Sequence, residues 1–297
     1  MKCIDHEVPI SVAVDMVSQR IFTMTSAGLF TVFDLSNFDV MYSKDFHKVA
    51  QNIIAFAHSN KVLLVFESDI MVLDANLKNG GYVELKEYEL KLNKISDAKL
   101  NTSENLLGVA STTGTTPEVS LYETNDGFAK LTTFYGFKSS IKHIDFSTDN
   151  YYLQCEDNDR EVSLFEIESS RLINMGAVDF DLEWLGEGLR TYPQLAQIRK
   201  QYSADNNILN IIKVPNKPII AIGDEIGTIR FYSYPNEGKD GYYQCYPDHL
   251  YNITKCVFTH DQKYFVSISR HDRCVFKWKT RYNEEKVLRL NMLLNKR

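Results

Sequence analysis

Ile253-Thr-Lys-Cys-Val-Phe258, Thr259-His-Asp-Gln262, Lys263-Tyr-Phe-Val-Ser-Ile268, Ser269-Arg-His-Asp-Arg273 and Cys274-Val-Phe-Lys-Trp278 follow one another without interruption, and this stretch decides the fold. Three apolar runs of strand length alternate with two short polar turns, and the third run closes on a bulky aromatic. Short polar side chains suit such turns because they bond their own backbone and tolerate tight dihedrals. The same order recurs upstream. Val12 to Asp15, Ser18-Gln19, Ile21 to Met24, Ser26 to Gly28 and Leu29 to Phe33 make one unit; Ile53 to Phe56, Ser59-Asn60, Val62 to Phe66 and Ile70 to Leu73 make another. Equivalent turns stand at Ser103-Glu104-Asn105, Ser147-Thr148-Asp149-Asn150 and Pro215-Asn216-Lys217.

The closing residues are Phe33-Asp34, Leu73-Asp74, Tyr122-Glu123, Phe165-Glu166, Tyr232-Ser233 and Trp278-Lys279, at intervals of 40, 49, 43, 67 and 46 residues. A period of roughly 40–45 residues is that of a propeller built from four-stranded blades. The expectation is an all-β chain forming a single β-propeller over residues 1–297, with six readable repeats and seven blades if one is degenerate.

A finer register supports that reading. A histidine stands nine residues before the end of the first strand at His6, His47 and His249, with Phe137 in that slot once, and an aspartate stands six before the anchor at Asp159 and Asp272. This resembles the WD-repeat pattern, in which such a histidine, a strand hydroxyl, a turn aspartate and the anchor aromatic are hydrogen-bonded inside one blade. His249, Ser267 or Ser269, Asp272 and Trp278 form the fullest set. The glycine that usually precedes the histidine is missing, so the repeats are divergent. A His, Ser and Asp set also invites a nucleophilic reading, since a base must take the hydroxyl proton and an acid must orient the base. The blade positions favour the structural one.

Cys256-Val-Phe-Thr-His260 followed by His271-Asp-Arg-Cys274 imitates a two-pair zinc site. The strand assignment opposes it: a six-residue strand at ~3.3 Å per residue holds His260 and His271 roughly 20 Å apart, whereas zinc ligands converge to about 2.0–2.3 Å from one ion. Gly186-Glu-Gly188 lacks the rest of a phosphate loop. Glu284-Glu285 and Asp157 with Asp159 read as solvated charge in turns. No catalytic residue, cofactor or metal is expected.

The net charge of −6 and a pI near 5.7 offer no global basic field to nucleic acid. The opening MKCIDHEVPI has acids and no apolar core of signal-peptide length, and no apolar run approaches a membrane span. Five unpatterned cysteines, Cys3, Cys155, Cys245, Cys256 and Cys274, read as thiols in a reducing, cytoplasmic compartment, which leaves the sequons at Asn101 and Asn252 without meaning.

The 67-residue interval breaks the period. Phe180, Leu182 and Trp184 alternate with acids, as a strand with one buried face would; after Pro193, Leu195, Ile198 and Tyr202 keep helical spacing. The segment 178–206 is either an irregular blade or a loop on a six-unit body. An insertion is a usual place for partner contact, and Trp184, Arg190, Tyr192, Arg199, Lys200 and Tyr202 are its candidate binding residues.

Ile144-Asp-Phe-Ser-Thr-Asp-Asn-Tyr-Tyr-Leu-Gln154, Asp181-Leu-Glu-Trp184, Gly223-Asp-Glu-Ile-Gly227, Phe231-Tyr-Ser-Tyr-Pro235 and Asp272-Arg-Cys-Val-Phe-Lys-Trp278 occur in that order. In this order they resemble the second propeller of the echinoderm microtubule-associated protein-like family over about residues 138–280. The resemblance implies a protein-interaction scaffold in a microtubule or ciliary (axonemal) assembly, with tubulin or axonemal proteins as partners. The family's tandem propellers, N-terminal coiled coil and Trp-Pro after the Glu-Trp strand have no counterpart in this sequence. An acidic propeller gains no long-range attraction to an acidic tubulin surface, so direct contact would need local basic patches or a bridging protein. A generic adaptor in a soluble complex and an enzyme working at the central funnel are the alternatives. At the C-terminus, Leu288, Leu290, Met292 and Leu294 alternate with Arg289, Asn291, Leu293 and Asn295, which suits 284–297 as a closing outer strand; a helix through Val287, Leu290 and Leu294 is the other option.

Overall fold

The computed structural model describes residues 2–3, 7–15, 19–59, 61–78, 81–84, 90–113, 115–159, 161–173, 184–185, 208–214, 217, 219–233, 243–259 and 261–280. Those residues are all-β, without a helix, and form six antiparallel sheets. The chain divides into two compact units, Ser11–Leu189 and Met1–Ile10 with Arg190–Arg297.

β1 (Lys2–Cys3) stands apart in sequence from the strands it joins. The first sheet comprises β2 (Pro9–Asp15), β3 (Arg20–Thr25), β4 (Leu29–Asp34) and β5 (Val40–Asp45). In the second, β6 (Asn52–Ala55) and β7 (Lys61–Val65) precede a long β8 (Asp69–Lys78), whose outer edge is shared by β9 (Gly81–Glu84) and β10 (Leu90–Lys91). The third is β11 (Lys94–Leu100), β12 (Leu106–Thr113), β13 (Thr116–Glu123) and β14 (Ala129–Phe134). The fourth is β15 (Ile141–Phe146), β16 (Tyr152–Asp157), β17 (Val162–Glu166) and β18 (Arg171–Ile173). β19 (Ile208–Lys213), β20 (Ile219–Asp224), β21 (Ile229–Ser233) and β22 (Tyr243–Tyr246) make the fifth. The sixth takes β23 (Ile253–Phe258), β24 (Tyr264–Ser269) and β25 (Cys274–Lys279), with β1 completing it on the β25 edge through Lys2 opposite Val275 and Cys3 opposite Cys274.

Each of the six anchors falls on the third strand of its sheet. Phe33, Leu73, Tyr122, Phe165 and Tyr232 are buried, and Trp278 is half-buried. Within Ser11–Leu189 the second and third sheets share a core of Phe56, Leu63, Ile70, Ile95, Leu107 and Tyr122. The third and fourth share Val119, Leu121, Phe134, Ile144, Phe146 and Phe165. In the other unit Ile229, Ile253, Cys256 and Phe265 bridge the fifth and sixth.

The turns repeat at atomic detail. Ser147 Oγ donates to Asp149 Oδ1 at 2.5 Å and accepts from Tyr152 N–H at 2.8 Å. Thr259 Oγ1 donates to Asp261 at 2.7 Å and accepts from Tyr264 N–H at 3.0 Å. Gln19, Glu104, Asn150 and Gln262 take φ of 53°, 56°, 62° and 57° at these first turns. At Asn150 and Gln262 the hydroxyl and carboxylate hold the bend closed, so a non-glycine residue sustains the left-handed conformation.

The sequence expectation of three strands per unit omitted the outer ones. β5 shows why: Val40 to Asp45 has no buried position and hence no alternation to read. Of the 178–206 segment, only Trp184 and Leu185 lie among the described residues. Trp184 forms an isolated antiparallel bridge with Ser147, Leu185 N–H donates to Phe146 O at 3.0 Å, and Leu185 packs on the core of the third and fourth sheets. A seventh blade on that segment and a closing strand at 284–297 otherwise fall outside the described residues.

Candidate functional site

The sixth sheet brings His249, Ser267, Asp272 and Trp278 together. Trp278 Nε1–H donates to Ser267 Oγ at 2.8 Å; Ser267 Oγ lies 2.7 Å from His249 Nε2; His249 Nδ1 lies 2.6 Å from Asp272 Oδ2. With the imidazole in its Nδ1–H tautomer, Ser267 O–H donates to Nε2 and Nδ1–H donates to the carboxylate, which satisfies every member of the chain. Ser269, the other hydroxyl considered, donates instead to Tyr251 O at 3.0 Å. The imidazole is fully enclosed, with Phe276 edge-on at 4.4 Å between ring centroids. Burial opposes ionisation of Asp272, but the hydrogen bond from His249 and the N–H groups of Cys274 and Leu250 outweigh it and hold the carboxyl below its ordinary value of 3.8. Ser267 is 0% exposed and its oxygen already serves two partners, so no substrate carbonyl reaches it in this arrangement.

Other sheets solve the same turn with different residues. In the second, His47 is exposed beside Asp45, and Lys48 takes the inward role, with Nζ 2.5 Å from Asp69 Oδ2 and 4.0 Å from the Phe66 ring centroid. In the fourth, Asp157 closes the turn rather than Asp159, accepting from the N–H groups of Asp159 at 3.0 Å and Glu161 at 2.9 Å. Asp224 in the fifth repeats this, accepting from Ile226 at 3.1 Å and Thr228 at 2.9 Å. His6 lies outside the described residues.

Sequence reasoning missed a second set of polar residues, which stitch neighbouring sheets. Ser11 Oγ accepts from Ile53 N–H at 3.0 Å, Asp97 Oδ2 from Ile144 N–H at 3.0 Å, and Cys256 donates its thiol to Asn210 Oδ1 at 2.6 Å. Each acceptor sits on the first strand of its sheet, and Asp97 and Asn210 stand beside register shifts in the ladder. Burial opposes ionisation of Asp97; His143, whose Nδ1 is 3.8 Å away, the charge of Lys99 and the Ile144 N–H hold it below its ordinary value. Ser11, Asp97 and Asn210 stand 42, 47 and 46 residues before their partners, a near-blade interval that could have disclosed them.

The four zinc-like residues serve other bonds or lie elsewhere. Cys256 is engaged with Asn210, the Cys274 thiol donates to Asp272 O at 3.0 Å, His271 packs its ring against Tyr251, and His260 lies outside the described residues. Of the candidate partner segment, Trp184 is placed as described above, and Arg190, Tyr192, Arg199, Lys200 and Tyr202 fall outside the described residues.

Repeated four-stranded sheets with third-strand anchors and a His–Ser–Asp–Trp chain are the marks of a WD-type β-propeller. The fold is shared with a chain in the crystal structure of the mitotic checkpoint complex, at a TM-score of 0.54 over 95% of this chain and 77% of that one, with 10% identity. The chain belongs to the family of the echinoderm microtubule-associated protein second β-propeller, whose family model matches residues 10–280. It is 24% identical over 145 residues to human echinoderm microtubule-associated protein-like 4, covering 48% of this chain and 15% of that protein. To the 77 kDa echinoderm microtubule-associated protein of Lytechinus variegatus it is 26% identical over 160 residues, 54% of this chain and 24% of the relative. The chain thus matches about a quarter or less of the length of these relatives.

Proposed function

We propose that this chain is a non-catalytic protein-interaction scaffold, a structural component of a microtubule or ciliary (axonemal) assembly in the cytoplasm, with tubulin or axonemal proteins as partners. The carrying observation is the enclosure of Ser267 and His249. The constellation of a nucleophile, a base and an orienting acid that the described residues contain spends its donors and acceptors on its own members, as a structural element does. An enzyme would present such a group to a cleft. Membership in a family whose relatives are named as microtubule-associated supports the cytoskeletal setting.

Co-sedimentation of the full chain with microtubules, with mass spectrometry of what co-purifies from a ciliated-cell extract, tests the proposal. Recovery in the pellet together with tubulin or axonemal proteins is expected. Loss from the pellet with no such partner recovered overturns it.

A further inference from the structure

The second strands of the six sheets keep one register: each begins opposite the residue after its anchor, as Lys61 does opposite Asp74, Leu106 opposite Glu123, Tyr152 opposite Glu166 and Ile219 opposite Ser233. Two and four residues further along, the strand faces the following sheet. Leu63 and Val65 lie in the core shared by the second and third sheets. A Cβ on Gly108 would stand 3.1 Å from Ile144 and Phe146 of the fourth sheet, and one on Gly223 would stand 2.6 Å from Ile253 of the sixth. The first and sixth sheets place Phe22 with Met24 and Val266 with Ile268 at these positions, all buried. Only the fourth sheet puts polar residues there, Gln154 and Glu156.

Both are enclosed, at 2% and 1% exposure, yet Gln154 Nε2 and Glu156 Oε2 have no hydrogen-bond partner. Leu153 and Cys155, which alternate with them, belong to the core shared with the third sheet, so the polar pair points the other way. Asp145 on β15 stands directly opposite Gln154 and is 2% exposed. Opposed residues share a face with Cβ atoms about 4.5–5.5 Å apart, and alternate residues of a strand lie about 7 Å apart. One buried face thus carries two carboxyl groups and an amide. Glu156 makes no ion pair with any described residue: Lys142 and Arg171 of the same sheet are exposed, and His143, opposite Glu156, has its Nδ1 3.8 Å from Asp97 Oδ2 of the third sheet. A carboxylate withdrawn from water without a partner is costly, whereas the apolar and small residues of the other five sheets need none.

We propose that Glu156, Gln154 and Asp145 bind a hard divalent cation, calcium or magnesium. Carboxylate and amide oxygens are the ligands such ions take, and a half-turn of the Gln154 amide exchanges its unpartnered nitrogen for an oxygen. The ion neutralises the buried charge and joins on this face what apolar packing joins on the others. The site goes beyond the scaffold reading, which stands without it.

The test is calorimetric titration of the full chain, first stripped with a chelator, with calcium chloride and separately with magnesium chloride, read beside the melting temperature. One ion per chain is expected, with a rise in melting temperature of about 5 °C at a hundredfold excess over the dissociation constant; the tighter of the two identifies the ion. Glu156→Gln keeps the shape and removes the charge. It is expected to weaken binding about tenfold or more and, without cation, to melt no lower than the stripped wild type. Absence of binding by both ions, a shift that potassium chloride of equal ionic strength reproduces, or undiminished affinity in Glu156→Gln overturns the inference. A Glu156→Gln chain that melts below the stripped wild type also overturns it, because the carboxylate then has its partner within the fold.

Discussion

Nδ1 of His249 lies 2.6 Å from Oδ2 of Asp272 in a place where the ring is fully enclosed and the carboxylate nearly so. A buried pair of this kind is costly to break on one side, because the remaining group keeps its desolvation penalty and loses its partner. His249→Ala is therefore expected to destabilise the chain by about 3 kcal/mol, and Trp278→Phe, which removes one donor but keeps a ring, by about 1 kcal/mol. Urea unfolding of the two variants measures both. A loss at His249→Ala no larger than that at Trp278→Phe would contradict the assignment.

Acid should unfold the protein through the same carboxylates. Asp272 and Asp97 both sit below the ordinary value of 3.8 when folded. A depressed folded value means the unfolded chain binds protons first, so the stability they contribute is complete above that ordinary value and disappears as pH falls through the folded values. Asp97→Asn and Asp272→Asn should each flatten the acid limb of stability against pH below about 4, while lowering stability at neutral pH. Chemical denaturation from neutral pH down to pH 2.5 reads the slope; an acid limb as steep in the double variant as in wild type would refute it.

Two glycines with left-handed backbones should respond differently to alanine. Gly136 has φ +98° with open space around its missing Cβ, so Gly136→Ala carries the conformational penalty alone, about 1 kcal/mol. Gly227 has φ +82°, and a Cβ there would stand within 3 Å of backbone atoms of His249 and Tyr251. Gly227→Ala is expected to cost about 3 kcal/mol or more, since the loop must shift. Comparable melting temperatures for the two would show that the turn and loop do not meet as described.

The thiols should separate by burial. Cys245 is exposed, whereas Cys155 and Cys256 are buried, and burial with the nearby Asp97 charge pushes the Cys155 thiol well above its ordinary value. Only the thiolate attacks a disulfide reagent. Mass spectrometry after brief treatment with an aromatic disulfide should find Cys245 modified and Cys155 and Cys256 intact until denaturant is added. Early labelling of Cys155 would overturn its placement.

Much of this was legible from the chain alone where burial leaves a signature. Phe33, Leu73, Tyr122, Phe165, Tyr232 and Trp278 are periodic because each closes the third strand of a repeated sheet, and Ser147-Thr-Asp149 and Thr259-His-Asp261 are readable because a turn is a local problem with a few chemical answers. His249, Ser267, Asp272 and Trp278 were legible as a set because one repeat holds them all, on its strands and the loop and turn beside them. Outer strands such as Val40–Asp45 were not, since an edge in solvent demands no pattern. Nor was His47 against Lys48, where moving one position along the chain exchanges an inward side chain for an outward one.

The amino-acid sequence thus determined the repeat, the order of the three inner strands within each repeat and the internal hydrogen-bond chain of the last one, all of which follow from interactions inside a single repeat. The tertiary structure alone decided which turns become neighbours: that Gly227 meets His249 and that Asp97 reaches Ile144. Such contacts join different sheets, and their geometry comes from the packing of those sheets, a property of the folded chain that no single repeat carries.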